Sequence, residues 1–334
     1  MRTYRYRLFG LCVESDHRLQ APMTLAPPEV APELHFRCAI GAQPSAPPDL
    51  LYASPEHNRL GESVVQLYAT PDGVLMRFPR VADFRLSPGE IDCRLVDPDL
   101  AFMIDICLLG HVMAYYLELS GVAALHAGAV AWEGQAVLFA ADRTGGKSTL
   151  VASAVAAGLA LLADDIAALE SDGDTLWCRP GFPQLKLTPE QAQRFAGGAE
   201  GFGLVHPSFA KLSVPAERVG GIATAPLPLA RIYLVERRAE TEDAAVSIEP
   251  VAPGEALIQL VRHSFLAELL DGHAAYPGFL GAGEGDLRTQ RFHRLAALAR
   301  AVAVRRLCYP SGYQHLPAVH AAVRADLAAP AGAP

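Results

Sequence analysis

Polar and apolar residues alternate at strand period over Tyr4–Val13 (Tyr-Arg-Tyr-Arg-Leu-Phe-Gly-Leu-Cys-Val). The same period recurs over Ser63–Thr70 and Gly73–Pro79, with Pro71-Asp72-Gly73 between them as a hairpin turn. The proline-rich pieces at 21–34 and 42–50 read as loops or edge connections, because proline cannot feed a sheet ladder. Residues 1–96 therefore read as a β-rich N-terminal domain.

From Asp97 the period changes. An apolar stretch, Leu100–Leu119, has the length of a helix. Strands follow at 122–132 and 135–141, joined by a turn at Glu133-Gly134. A glycine-containing loop then leads into a helix over Lys147–Ala157, stopped by Gly158. Leu159–Ala163 reads as a short buried strand running into Asp164-Asp165. Strand, loop, helix and strand in this order predict a parallel pair with a right-handed crossover. Further on, strands are expected at 230–238, 245–251 and 304–309, and helices at 253–272, 287–302 and 313–329. Residues 97–334 form the expected second domain, and no internal repeat appears.

Composition narrows the class. Of 334 residues, 51% are apolar and 19% charged, enough for a large core. The net charge of −8 and the scattered Lys and Arg argue against a nucleic-acid binder. Six cysteines without C-x-x-C spacing, and an N-terminus without a signal-peptide pattern, fit a reducing cytoplasm. Leu100–Leu119 carries Asp105, His111 and Glu118, which makes a membrane span costly and a buried helix the expectation.

Chemistry concentrates in Ala141–Ser148, Ala-Asp-Arg-Thr-Gly-Gly-Lys-Ser. This follows the phosphate-loop pattern G-x-x-x-x-G-K-[ST] except at Ala141. In such a loop, backbone N–H groups from Arg143 to Thr149 bind anionic oxygens. Gly145 and Gly146 permit the close approach. Lys147 neutralises phosphate charge, Ser148 ligates Mg²⁺, and Arg143 adds a cation. If Ala141 needs positive φ, it costs about 1–2 kcal/mol. An ordinary strand–helix turn with a chance Gly-Gly-Lys is the alternative.

Residues 125–170 resemble the catalytic core of the HPr serine kinase/phosphorylase family and its HPr-kinase-like relatives. His126 precedes Lys147 by 21 residues, and Asp165, in Ala-Asp-Asp, follows it by 18. The resemblance implies an α/β fold: a P-loop kinase core of the HPr-kinase/phosphoenolpyruvate-carboxykinase-like type, with a β-rich N-terminal domain and C-terminal helices. It implies ATP and Mg²⁺ as cofactors, and Asp165 as the base that takes the acceptor hydroxyl proton. Asp164 would orient Asp165 or reach Mg²⁺ through water, and His126 would touch the phosphates or the nucleophile. The family's metal-binding glutamate follows a Leu-Glu-Ile-Arg-Gly segment that is missing here; Glu190 is the substitute candidate. Without that segment the expectation is a kinase that lacks the reverse reaction.

The segments Gly181–Leu187 and Leu260–Phe265 resemble those of relatives that modify peptides, including lasso-peptide kinases that phosphorylate a C-terminal serine. Lys186, Lys211, Arg262 and His263 would then bind a substrate carboxylate or phosphate. A peptide or small protein is the expected partner, and a homo-oligomer is a further expectation, since the regulator relatives are hexameric. Plainer readings stand beside these: an Asp pair capping a helix, a core histidine, surface cations. A small-molecule kinase and a nucleotide-binding sensor are the alternative functions.

Overall fold

The computed structural model describes residues 2–239, 245–265, 267 and 286–329. It is a mixed α/β chain with two large sheets and divides into two compact units, residues 1–124 with 265–293, and residues 125–264 with 294–334. The composition shift at 96/97 suggested an earlier boundary. The difference lies in the apolar helix, which is fastened to the N-terminal sheet. The Tyr116 hydroxyl accepts a hydrogen bond from Gly89 N (3.1 Å), and Asp105 accepts from Gln20 N and Ala21 N (2.7 Å each).

In the first unit, nine strands form one sheet, beginning Thr24–Leu25, Tyr4–Leu8, Leu11–Ser15 and Leu34–Ile40, and continuing Glu90–Leu95, Ala82–Ser87, Gly73–Phe78, Gln66–Thr70 and Leu50–Ala53. The Phe9-Gly10 turn closes its first hairpin with both residues at positive φ, the backbone a tight two-residue turn demands. The Pro71-Asp72 turn joins Thr70 to Gly73, as the alternation predicts. Phe102–Leu119 is long and apolar enough to cross a membrane, and 78% of it is buried within the protein. It is broken at Gly110 (φ −107°, ψ −107°) by a wider helical turn. Its polar groups are used internally; Glu118, for example, accepts from Ala124 N at 2.9 Å.

The second unit is built on a sheet ordered Ala167–Asp172, Thr175–Arg179, Leu227–Arg238, Gln135–Ala140, Ala127–Trp132, Ala160–Ala163 and Gly221–Ile222. Ala303–Pro310 lies parallel to Leu227–Arg238 and antiparallel to Ser247–Pro250. The expected parallel pair therefore takes a different form. Gln135–Ala140 and Ala160–Ala163 run in the same direction, but Ala127–Trp132 is inserted between them, antiparallel to both. The parallel neighbour of Gln135–Ala140 is Leu227–Arg238. The hairpin at Glu133-Gly134, both at positive φ, fills the gap that the crossover leaves.

Helix Lys147–Ala156 packs on this sheet, with Val151 and Val155 in a core shared with Phe139, Leu185, Leu212 and Val214. Gly128 permits that contact: a Cβ there would stand 2.5 Å from Val151 Cγ2. A small sheet of Gln184–Leu187, Phe209–Pro215 and Leu204–His206 covers the other side of the helix. The expected C-terminal elements appear as helices Pro253–Arg262, Leu287–Ala301 and Leu316–Ala328. The second half of the helix expected at 253–272 lies outside the described residues.

One buried ion cluster ties the C-terminal helix to the central strands. Asp326 Oδ2 accepts from Arg231 Nη1 (3.0 Å) and from the Tyr233 hydroxyl (2.6 Å), while Arg305 Nε lies 3.4 Å from Oδ1. Arg231 and Arg305 are buried, so removing the carboxylate would strand two guanidinium groups. Asp326→Ala should destabilise the fold by about 3–5 kcal/mol, the scale for breaking a buried pair. A shift in the urea midpoint reads this; a change under about 1 kcal/mol would mean that solvent already compensates these charges.

Candidate active site

The loop begins where strand Gln135–Ala140 leaves the sheet. Ala141 is buried and does not adopt positive φ, so the conformational penalty considered from the sequence is absent. Its methyl group fills space instead: a Cβ on Gly145 would lie 3.0 Å from Ala141 Cβ. Gly145 N donates to Asp142 O at 2.9 Å, closing the turn. Thr144 (φ 64°) and Gly146 (φ 99°) take the left-handed conformations. Any Cβ on Gly146 would also collide with the Tyr309 hydroxyl. Arg237 Nη2 holds the Thr144 carbonyl at 3.0 Å.

Helix Lys147–Ala156 starts without a side-chain cap and without an acidic residue in its first turn. No side chain therefore caps its leading N–H groups, the feature through which helix starts can bind anions. Ser148 is half-buried in that turn, and Arg143 is exposed at the loop. The Thr149 hydroxyl accepts from Gln191 Nε2 (2.7 Å), so its place is structural. Gln191 in turn completes a capping box with Thr188 at the start of helix Pro189–Phe195.

Lys147 points back from the helix into a charged knot. Its Nζ lies 2.8 Å from His126 Nε2 and 3.6 Å from Asp165 Oδ1. His126 Nδ1 lies 3.3 Å from the same carboxylate oxygen. An ammonium only donates, so Nε2 must accept, and the hydrogen-bond pattern assigns the neutral Nδ1–H tautomer. Burial, followed by the Lys147 charge, pushes the His126 pKa down to about 4, in agreement. Asp165 Oδ2 accepts from Lys186 Nζ at 2.7 Å. Burial alone would raise the Asp165 pKa; the ammonium groups of Lys186 and Lys147 prevail and hold it well below the usual carboxylate range. The Lys147 pKa is lowered, chiefly by burial.

Asp164 does a different job. Burial and then the neighbouring Asp165 raise its pKa. Its Oδ2 accepts from Lys186 N (2.9 Å), while Oδ1 is buried without a hydrogen-bond partner among the described residues. A strand, Ala167–Asp172, follows the Asp pair, so the helix-capping alternative does not apply.

The flanks complete the picture. His263 O accepts from His126 N (2.6 Å), and Arg262 Nη2 pairs with Asp142 Oδ2 (2.6 Å) in an exposed contact. Segment 262–264 therefore lies against the loop and the His126 bend. Lys211 is exposed, and its charge helps lower the Lys147 pKa, which places it within electrostatic reach. Lys186, expected at a substrate anion, has its ammonium engaged with Asp165. Glu190 is exposed in the first turn of Pro189–Phe195 and interacts with the Tyr313 hydroxyl. Among the described residues, no group of three His, Cys, Asp or Glu side chains is placed to hold a metal. Gln191, Arg237 and Tyr309 support the loop without any motif to announce them.

No protein-family model matches the chain, and no curated protein matches it. Among solved structures, the HPr(Ser) kinase/phosphatase from Coxiella burnetii matches at 10% identity and a TM-score of 0.30, covering 61% of this chain and 95% of that one. The likeness is remote.

Two outcomes are expected from the geometry. Restoring the motif glycine, Ala141→Gly, should lower stability by about 0.5–1 kcal/mol, since it loosens the unfolded chain where no positive φ is needed; a raised urea midpoint would contradict this. The second concerns pH. His126 stays neutral in the folded chain down to about pH 4, against an ordinary value of 6.5. Between those values the unfolded chain binds more protons, so this contribution is intact above pH 6.5 and is lost as pH falls toward 4. His263 and His320 are shifted the same way, mainly by burial. His126→Gln should therefore reduce, not abolish, the slope of the urea midpoint across that window; an unchanged slope would disprove the neutral assignment.

Proposed function

We propose that this chain is an ATP-dependent kinase that transfers the γ-phosphoryl group to a hydroxyl, a serine of a peptide or small protein. The observation that carries the reading is the link from the loop lysine through His126 to Asp165, an anion-binding helix start wired to a base. In this reading the loop amides and Lys147 take the triphosphate. The acceptor oxygen attacks the γ-phosphorus, the bond to the bridging β-oxygen breaks, ADP leaves, and the hydroxyl proton passes to Asp165. A carboxylate of low pKa suffices, because the loose transition state asks for orientation and charge placement more than basicity. Lys186 would keep Asp165 ionised and aimed when Lys147 turns to the phosphates. Neutral His126 would hold Lys147 and Asp165 in register.

Mg²⁺ suits the same place. The half-buried Ser148 hydroxyl is an oxygen donor, and the unpartnered Asp164 Oδ1 is a buried acceptor able to hold a metal-bound water. Bound there, the ion would neutralise charge on the phosphate oxygens. The role first considered for Glu190 is weaker, given its contact with Tyr313. The C-terminal serine of a lasso-peptide precursor is the specific acceptor suggested by the resemblance of the Gly181–Leu187 and Leu260–Phe265 segments.

Incubation with γ-labelled ATP and serine peptides tests the reading. Asp165→Asn should lower kcat by roughly 10²–10⁴-fold, the usual scale for a lost general base, while nucleotide binding persists. Transfer at the unmodified rate would remove Asp165 from the chemistry.

A further inference from the structure

The small sheet beside the knot has two unlike faces. Leu185, Leu187, Leu212 and Val214 are buried against the loop helix. Side chains alternate along a strand, so Lys186 and its cross-strand partner Ser213 lie on the opposite face. That face ends at Asp165, which Lys186 touches. Farther out on the same strand stands Lys211, exposed and within electrostatic reach of Lys147. At the outer end, Phe209 is 62% exposed, with the His206 ring centroid 5.1 Å away. One extra residue on this strand, between the pairs Leu204–Leu212 and His206–Phe209, re-aims its tip. Leu204, the cross-strand partner of the buried Leu212, is 55% exposed. An apolar tip and then a cation lie along one strand, and Lys186, across from Ser213 on the neighbouring strand, reaches Asp165.

Resting on the kinase reading above, we infer that the hairpin Leu204–Pro215 docks the acceptor as an extended acidic peptide segment. An acidic side chain or terminal carboxylate beside the acceptor hydroxyl meets Lys211. A large apolar side chain farther along covers Phe209 and His206. At a strand rise of about 3.3 Å per residue, and with one extra residue in the bulge, Phe209 stands about 10–13 Å from Ser213, so the apolar residue stands three or four positions from a hydroxyl placed beside Ser213. The local cations choose an anionic partner although the chain carries −8 overall.

Fluorescence anisotropy without nucleotide tests this on the full chain. The probes are labelled eight-residue peptides with a central serine, Asp or Lys beside it, and Phe or Gly four positions away. The acidic, Phe-containing peptide should bind at least tenfold tighter than the Lys or the Gly version. Lys211→Glu should reverse the charge preference, Lys211→Arg should keep it, and Phe209→Ser should erase the preference for Phe. Unchanged urea midpoints verify that these surface variants fold. Equal binding of acidic and basic peptides, an unaltered preference in Lys211→Glu, or equally tight binding of a single-stranded oligonucleotide of the same charge would overturn the inference. Adding ATP and Mg²⁺ to the same samples separates the two ideas: tight acidic binding without phosphoserine formation would sink the kinase reading alone.

Discussion

One carboxylate answering to two ammonium groups organises this site. Asp165 meets Lys186 at 2.7 Å and Lys147 at 3.6 Å, and all three side chains are largely withdrawn from water. Charges so placed are tolerable only when they compensate one another, because each carries a desolvation penalty that only its partners offset. This requirement joins three separate pieces of chain: the first turn of the loop helix, the end of Ala160–Ala163, and the strand Gln184–Leu187. Neutral His126 lets the fourth piece join without adding charge. In the proposed kinase reading, an incoming triphosphate tail adds negative charge beside the lysines and shifts this balance.

Several of these partners could be found by counting along the chain, because local chain geometry fixes them. His126, Lys147 and Asp165 lie at the start of a hairpin, at the start of the helix that follows it and at the end of the next strand, a compact run of chain with separations of 21 and 18 residues. Lys186 as the partner of Asp165 was not legible in this way. It arrives on a separate three-stranded sheet, whose pairing of Gln184–Leu187 with Phe209–Pro215 no periodicity announces. Nor did alternation reveal that Ala127–Trp132 inserts between the two strands flanking the loop helix. Non-local pairing, not residue character, decides such questions. Residues such as Arg237 and Tyr309, which shape the loop from the far strands, belong to the same class.

The departure at Ala141 shows how a motif letter can mislead when its backbone is unknown. The left-handed turns sit at Thr144 and Gly146, so the first position of the loop is free to carry a methyl group. That methyl group then occupies the space a side chain at position 145 would need, and the glycine there is required by its neighbour as much as by any ligand. The boundary between the two compact units differs from the composition shift for a similar reason. By hydropathy the apolar helix groups with the buried strands C-terminal to it, yet its hydrogen bonds reach back to residues 20, 21 and 89.

Asp165 has φ 73°, a conformation that, apart from glycine, suits Asp and Asn better than most side chains. The bend at the strand end thus favours a short, hydrogen-bonding residue before any question of reactivity arises. In a lineage without the proposed chemistry, drift at this position would run toward Asn or Gly, while Ala or Val would meet conformational resistance. Among diverged copies of this chain, an amide or a bare backbone is therefore the replacement this bend accepts most readily where the acid stands.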